Sequence, residues 1–171
     1  MTTILTATTI DAKTLSQLGK QTFLESHSHS APKKDIDKYV AFKFSVSEFE
    51  TELKKQSNNY YIIYHNEIPV GYSKIVFNVY NKNIPLKNVT KLERIYVLEE
   101  FQKLKLGLEL FKFNLNTSKQ HNQSGMWLYT WIENHKAIAF YKKAGFKIVG
   151  SYDFKISDTH YNPNHQMLLT Y

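Results

Sequence analysis

The residues whose types and spacing can do chemistry lie between Lys91 and Phe146, KLERIYVLEEFQKLKLGLELFKFNLNTSKQHNQSGMWLYTWIENHKAIAFYKKAGF. Around Phe101–Leu108 a strand-like run turns straight into a helix-like one. Such a turn presents free backbone N–H groups at the positive end of a helix dipole, an anion site suited to a pyrophosphate. Gly107 allows close approach, and Lys103 and Lys105 add positive charge. One glycine before a helix is, taken alone, more often simple packing. In NHKAIAFYKKAGF, Asn134 stands at a helix start and Tyr141 follows seven residues on, two turns along nearly the same face. An isolated tyrosine at that spacing is by itself best read as an amphipathic core residue.

The rest of the chain has to position these groups. TTILTATTI (2–10) is β-branched and suits a first strand, with Asp11 as cap of a helix through Leu15, Leu18 and Phe23. HSHSAP breaks that pattern, and Pro32 starts a second helix with Ile36, Tyr39, Val40 and Phe44 on one side. Ser45 or Ser47 opens a third short helix, SEFETELKK. NYYIIYH and PVGYSKIVFNVY form a hairpin about Asn66-Glu67, and LERIYVL (92–98) reads as a buried strand. KLKLGLEL alternates like a strand, yet two leucine and phenylalanine stripes at helical spacing and the lack of β-branched residues favour a helix over 102–121. MWLYTW, a helix capped by Asn134 and stopped by Gly145-Phe146, and the strands FKIVGSYDF and HQMLLTY complete the order. Strands and helices mixed in this way predict an α/β sheet covered by helices, in a single domain spanning residues 1–171.

Composition excludes several classes. Hydrophobic residues at 42% and aromatics at 15% rule out a disordered chain. No apolar run reaches the ~18 residues that a membrane helix needs, and the N-terminus does not resemble a signal peptide. There is no cysteine, so disulfides, a thiolate nucleophile and Cys-ligated zinc are excluded, and a reducing cytoplasm is expected. The seven histidines form no pattern that would bind a metal, and His27 and His29 in HSHS read as a polar linker. The net charge of +7 attracts polyanions, but the lysines are scattered rather than interleaved with aromatics on one nucleic-acid-binding face.

ERIYVLEEFQKLKLG followed by WLYTWIENHKAIAFYKKAGFKIVG resembles the Gcn5-related N-acetyltransferase (GNAT) family. The family's phosphate motif, R/Q-x-x-G-x-G/A, falls on Gln102, Lys103, Leu104, Lys105, Leu106 and Gly107, with Lys105 in place of the middle glycine. Its N-x-x-A-x-x-F-Y-x-K-x-G-F signature falls on Asn134, Ala137, Phe140, Tyr141, Lys143, Gly145 and Phe146. The FQK turn, W-x-x-x-W before the asparagine, and GY-x-K at 71–74 are closest to the bacterial spermidine/spermine N-acetyltransferase branch.

The resemblance implies a GNAT-like fold: a mixed, mostly antiparallel sheet with helices on both faces and strands splayed at the cofactor site. It implies acetyl transfer from acetyl-CoA to an amine, without a metal. Ile95, Tyr96 and Val97 would hold the pantetheine and thioester carbonyl through their backbone, and the turn from Gln102 to Leu108 the pyrophosphate. A Cβ at Lys105 is expected to weaken or rearrange that grip. Asn134 would bind the cofactor arm or cap its own helix, and Tyr141 would protonate the departing thiolate. A free alkylamine titrates near ~10.4, so a base is needed, and Glu93, two residues before Ile95 and so on its face, is the candidate. A paired carboxylate is the competing reading. Acceptor selectivity falls to residues 23–44, where Glu25, Asp35 and Asp37 would attract a cation and Tyr39 and Phe42 would line a wall. The favoured acceptor is a polyamine. A protein amine or another small-molecule amine, or a non-catalytic acyl-CoA-binding regulator, is the alternative. Members of the family often dimerise, and HQMLLTY offers an aromatic strand for a homodimer contact.

Overall fold

The β-branched and aromatic runs all become strands of one sheet. In the computed structural model, which describes residues 1–171, seven strands lie in the order β1-β2-β3-β4-β5-β7-β6. They are β1 (Thr2–Thr6), β2 (Asn59–His65), β3 (Ile68–Val76), β4 (Val89–Val97), β5 (Gly125–Trp131), β6 (Lys147–Lys155) and β7 (Tyr161–Thr170). Every neighbouring pair is antiparallel except β4 and β5. Helices α1 (Ala12–His27), α2 (Lys33–Lys43) and α3 (Val46–Lys54) cover one face, and α4 (Leu106–Gln120) and α5 (His135–Lys143) the other. The mixed, mostly antiparallel sheet with helices on both faces is the expected architecture. No helix is long and apolar enough to cross a membrane.

Strand alternation divides the core in two. Along β2, Tyr60 and Ile62 turn toward α1–α3, where they meet Leu15, Phe44 and Phe49. Tyr61 and Ile63 turn the other way, into the cluster that Leu110, Phe111 and Phe146 share with β4 and β5. Each fully buried side chain of this kind stabilises the fold by about 1.5–3 kcal/mol relative to exposure.

Several local signals act as the sequence predicts. Asn66 and Glu67 both take positive φ, 48° and 67°, as a two-residue hairpin turn of type I′ requires. The Ala137 amide donates to Asn134 Oδ1 at 3.2 Å, so Asn134 caps α5. Gly145 has φ 100°, and the Phe146 amide closes the end of α5 on the Tyr141 carbonyl. Elsewhere the structure corrects the reading. Asp11 does not cap α1 with its side chain; its carboxylate accepts from the Thr8 amide at 2.7 Å and closes a 3-10 turn over Thr9–Asp11. The 102–121 stretch is not one helix: a 3-10 turn (Glu99–Leu104) precedes α4, with Lys105 between them. Leu104 and Leu108 are exposed, but Phe111 and Leu115 of the same stripe pack into the core beside Leu106, Leu110 and Phe113, so α4 buries both stripes beyond its first turn. β7 lies between β5 and β6, so both its edges are used and it cannot extend the sheet into a second copy; the edge strands are β1 and β6.

β3 and β4 approach unusually closely at Gly71, opposite Val97. A Cβ on Gly71 would stand 2.4 Å from the Tyr96 carbonyl oxygen and 2.9 Å from Val97 Cγ2. Gly71→Ala is therefore expected to lower stability by about 1–3 kcal/mol in chemical denaturation, the range for overpacking. A loss within experimental error would mean that β4 shifts freely along β3.

Candidate active site

β4 and β5 are hydrogen-bonded neighbours only where Val89–Lys91 meet Gly125–Trp127. Beyond that, β4 follows β3 to Val97 and β5 follows β7 to Trp131, and the two strands part. A bulge sits just past the last shared pair. Lys74 pairs with Arg94 and the next residue, Ile75, with Leu92, so Glu93 is the extra residue on β4. A bulge of this kind bends its strand and increases the twist, which carries β4 away from β5. The parting opens a groove of about 1050 Å³, ample for a cofactor and a small second substrate.

At one end the groove runs under the start of α4 and along α5. Of the residues expected to bind the cofactor, Ile95, Tyr96, Val97, Gln102, Lys105, Gly107, Leu108, Asn134, Ala137, Tyr141 and Lys143 line this groove. Three predicted residues do not. Lys103 and Leu104 are exposed on the outside of the 3-10 turn, and the Leu106 side chain is 2% exposed within the core. None of these three side chains lines the groove.

Lys105, where the motif expects glycine, has φ 60° and ψ 18°, the left-handed conformation that glycine adopts freely. Its Cβ therefore acts first on the local backbone, at a cost of about 1–2 kcal/mol. Gly107 is different. A Cβ there would touch only Val97 Cγ2 at 3.9 Å, so protein packing leaves room for a side chain. The open space faces the groove and suits the close approach of a ligand. The fit to a phosphate-bearing cofactor is good, with the first N–H groups of α4 and the charges of Lys105, Lys136 and Lys143 around it. Lys136 escaped the motif reading. It donates to Gln102 Oε1, while Gln102 Nε2 donates to the Val97 carbonyl at 3.2 Å, tying α5 to the end of β4.

Tyr141 serves packing and the groove together. It is 8% exposed, stacks edge-on to Phe146 with ring centroids 5.4 Å apart, and belongs to the core cluster under α4 and α5. It also lines the groove. Burial, with Tyr96 nearby, pushes its hydroxyl well above the usual phenol range, so it stays a neutral proton donor.

The other end lies under α1 and α2. Glu93 does not share the face of Ile95. The bulge turns it toward α3, where its carboxylate meets Lys74 Nζ at 2.5 Å and Lys91 Nζ at 3.3 Å. Lys74 also holds Glu52 at 2.6 Å. Burial raises the Glu93 carboxyl, but Lys74 and then Lys91 outweigh it and hold the group below the usual range. Glu93 still lines the groove, as an ionised carboxylate.

The three acceptor-side residues fare differently. Tyr39 lines the groove, packed against Phe23, Phe44 and Phe154. Glu25 borders it, but its carboxylate accepts from the Glu99 amide at 2.9 Å and from Gln21 Nε2 at 3.1 Å. It fastens the 3-10 turn to α1. Asp35 sits in the first turn of α2 outside the groove, Asp37 pairs with Lys33, and Phe42 is 64% exposed.

Besides Lys136, two more groove residues were missed. His27 is the last residue of α1, not linker; it stacks on Phe23 and faces Tyr96 and Trp131 across the parting. Burial and the neighbouring His29 push its imidazole down to about 4, so it is neutral. Arg94 lies against Phe44 and Phe49 at 5.0 and 5.6 Å. An arginine inside LERIYVL was the available signal, since charge rarely enters a buried strand without a purpose.

Residues 20–146 match the acetyltransferase (GNAT) family. The chain belongs to that family. An uncharacterized N-acetyltransferase from the pepI 3′ region of Lactobacillus delbrueckii subsp. lactis is 24% identical over 142 residues, 82% of either chain. Two solved structures, each 18% identical, share the fold. The PaiA N-acetyltransferase of Thermoplasma acidophilum, in complex with coenzyme A, superposes with TM-score 0.79 over 100% of this chain and 99% of that one. A GNAT-family acetyltransferase from Streptococcus pneumoniae superposes with TM-score 0.69 over the whole of both. The chain is thus an acetyl-CoA-dependent acyltransferase of the GNAT kind.

The left-handed Lys105 gives a direct test. Lys105→Gly is expected to raise stability by about 1 kcal/mol, seen as a Tm increase of about 2–4 °C. An unchanged or lower Tm would show that Lys105 makes compensating interactions at the turn.

Proposed function

We propose that this GNAT-family enzyme transfers the acetyl group of acetyl-CoA directly to the primary amine of a small acceptor. Tyr141 gives a proton to the departing sulfur, and Glu93 receives the amine proton through water. The reading rests on one observation above others: a neutral tyrosine lines the groove beside a β4 edge that has no strand partner.

The free edge from Leu92 to Val97 offers backbone N–H and C=O groups to the amide-bearing pantetheine arm, and an N–H to the thioester oxygen as charge develops on it. The pyrophosphate falls to the start of α4 and to Lys105, Lys136 and Lys143. The amine nitrogen attacks the thioester carbon, the C–S bond breaks, and the sulfur takes the phenol proton. No enzyme-bound acyl group is required, in keeping with a chain that has no cysteine and suits a reducing cytoplasm.

A polyamine acceptor draws less support than the motifs suggested. Of the carboxylates expected to attract it, Glu25 is engaged by backbone and side chain and Asp35 lies outside the groove. Lys43, Lys91 and Arg94 line the same end. A small amine without multiple charges fits that surface better. A homodimer that extends the sheet would use the edge of β1 or β6, while HQMLLTY could contribute only side chains such as the exposed Tyr171.

A thiol-release assay with acetyl-CoA against a panel of amines tests the reading. Tyr141→Phe should lower kcat about a hundredfold and leave acetyl-CoA affinity within a factor of about three. Glu93→Gln should lower kcat with the same selectivity. Equal losses of turnover and of acetyl-CoA affinity would reduce Tyr141 to packing. Acetyl-CoA binding with no turnover for any amine would favour a regulator on this fold.

A further inference from the structure

The acceptor end contains a cation without an ionic partner. Glu52 and Glu93 are both taken, by Lys55, Lys74 and Lys91, and no carboxylate lies within 4.0 Å of Arg94. Phe44 and Phe49 lie against its guanidinium, which partly offsets the loss of water. Ring faces do not accept N–H hydrogen bonds in the plane of the guanidinium, and Arg94 Nη1 is buried with no partner. The neighbouring Tyr72 hydroxyl, buried in the α1–α3 core outside the groove, can accept from one N–H of the guanidinium but leaves the others free. Across the same groove, Asn162 is 3% exposed and its Nδ2 has no acceptor. A fold that leaves Arg94 Nη1 and Asn162 Nδ2 unsatisfied in one cavity suits a ligand that brings acceptor atoms there, because buried unpaired donors are otherwise strongly disfavoured.

Position and surroundings narrow the ligand. Arg94 follows the bulge directly, two residues before the Tyr96 backbone that borders the transfer site. The wall between them is aromatic, with Phe23, Tyr39, Phe44, Tyr96, Trp131 and Phe154. We propose that the acceptor is an amine that also carries a carboxylate on an apolar body, and that Arg94 binds that carboxylate. Arginine suits the task because its planar fork donates two parallel hydrogen bonds to a carboxylate. This inference rests on the acetyltransferase reading for the amine, but its carboxylate half can be tested without turnover.

The experiment uses the full chain saturated with CoA. Binding of N-acetylphenylalanine and of N-acetyl-4-aminobutyrate is compared with binding of their carboxamides, by calorimetry or by the fluorescence of groove-lining Trp131. At least one acid should bind about tenfold or more tightly than its amide, the range for a hydrogen-bonded charge pair. Arg94→Gln should abolish that preference while CoA affinity stays the same. If each wild-type acid binds no better than its amide, the inference is overturned, and this comparison decides even if the variant fails to fold. A preference that survives Arg94→Gln in a folded variant overturns the assignment to Arg94. Turnover of the parent amines is read separately: its absence counts against acetyl transfer, not against the carboxylate subsite.

Discussion

The parting of β4 from β5 is the constraint on which the rest depends. A sheet strand that leaves its neighbour exposes backbone N–H and C=O groups, each of which costs about 1–3 kcal/mol if it is buried unpaired. The fold offsets this in two ways. β4 stays paired with β3 on its other side except at the Glu93 bulge, helped by the close approach at Gly71. At the far end, the Gln102 side chain donates to the Val97 carbonyl. What remains is a run of peptide groups facing a groove. The ligand best suited to it carries amides of its own, and the pantetheine arm does.

The same bulge sets the electrostatics. By adding Glu93 to β4, it places Glu93 and Arg94 on the α1–α3 side, where regular alternation would have sent only one of them. Glu93 then falls to Lys74 and Lys91, and Arg94 is left to the aromatic rings. One inserted residue thus converts a plain buried strand into a site with a bound carboxylate and a free cation.

This also marks the limit of what the sequence could tell. Asn134, Gly145 and the Asn66-Glu67 turn were legible because each obeys a local rule that tertiary contacts do not override. The place of Tyr141 was legible by spacing, and it both packs in the core and lines the groove. The face of Glu93 was not legible, since period-two reasoning assumes no bulge. Glu25 misled for another reason. A carboxylate on a helix is free or engaged according to what folds against it, and the Glu99 amide comes from a turn 74 residues away. His27 looked like linker because the helix end was placed too early; four more residues of α1 carry it over the groove.

Lys43, Lys91, Arg94 and Lys136 give the groove a positive field. For an anionic cofactor the benefit is direct. For the acceptor the effect is subtler, and it bears on the base role proposed for Glu93. A carboxylate held below its usual range by two lysines pulls feebly on a proton from an alkylammonium near ~10.4. Neighbouring cations, however, disfavour the ammonium form, and each unit by which they lower its pKa removes about 1.4 kcal/mol from the cost of deprotonation. A multiply charged amine would meet that field with every nitrogen. An amine that brings its own carboxylate would place the negative charge against Arg94 and leave only the reacting nitrogen to be neutralised. The charge that weakens Glu93 would therefore reduce the work of the proposed base, and would do so selectively for the acceptor class proposed above.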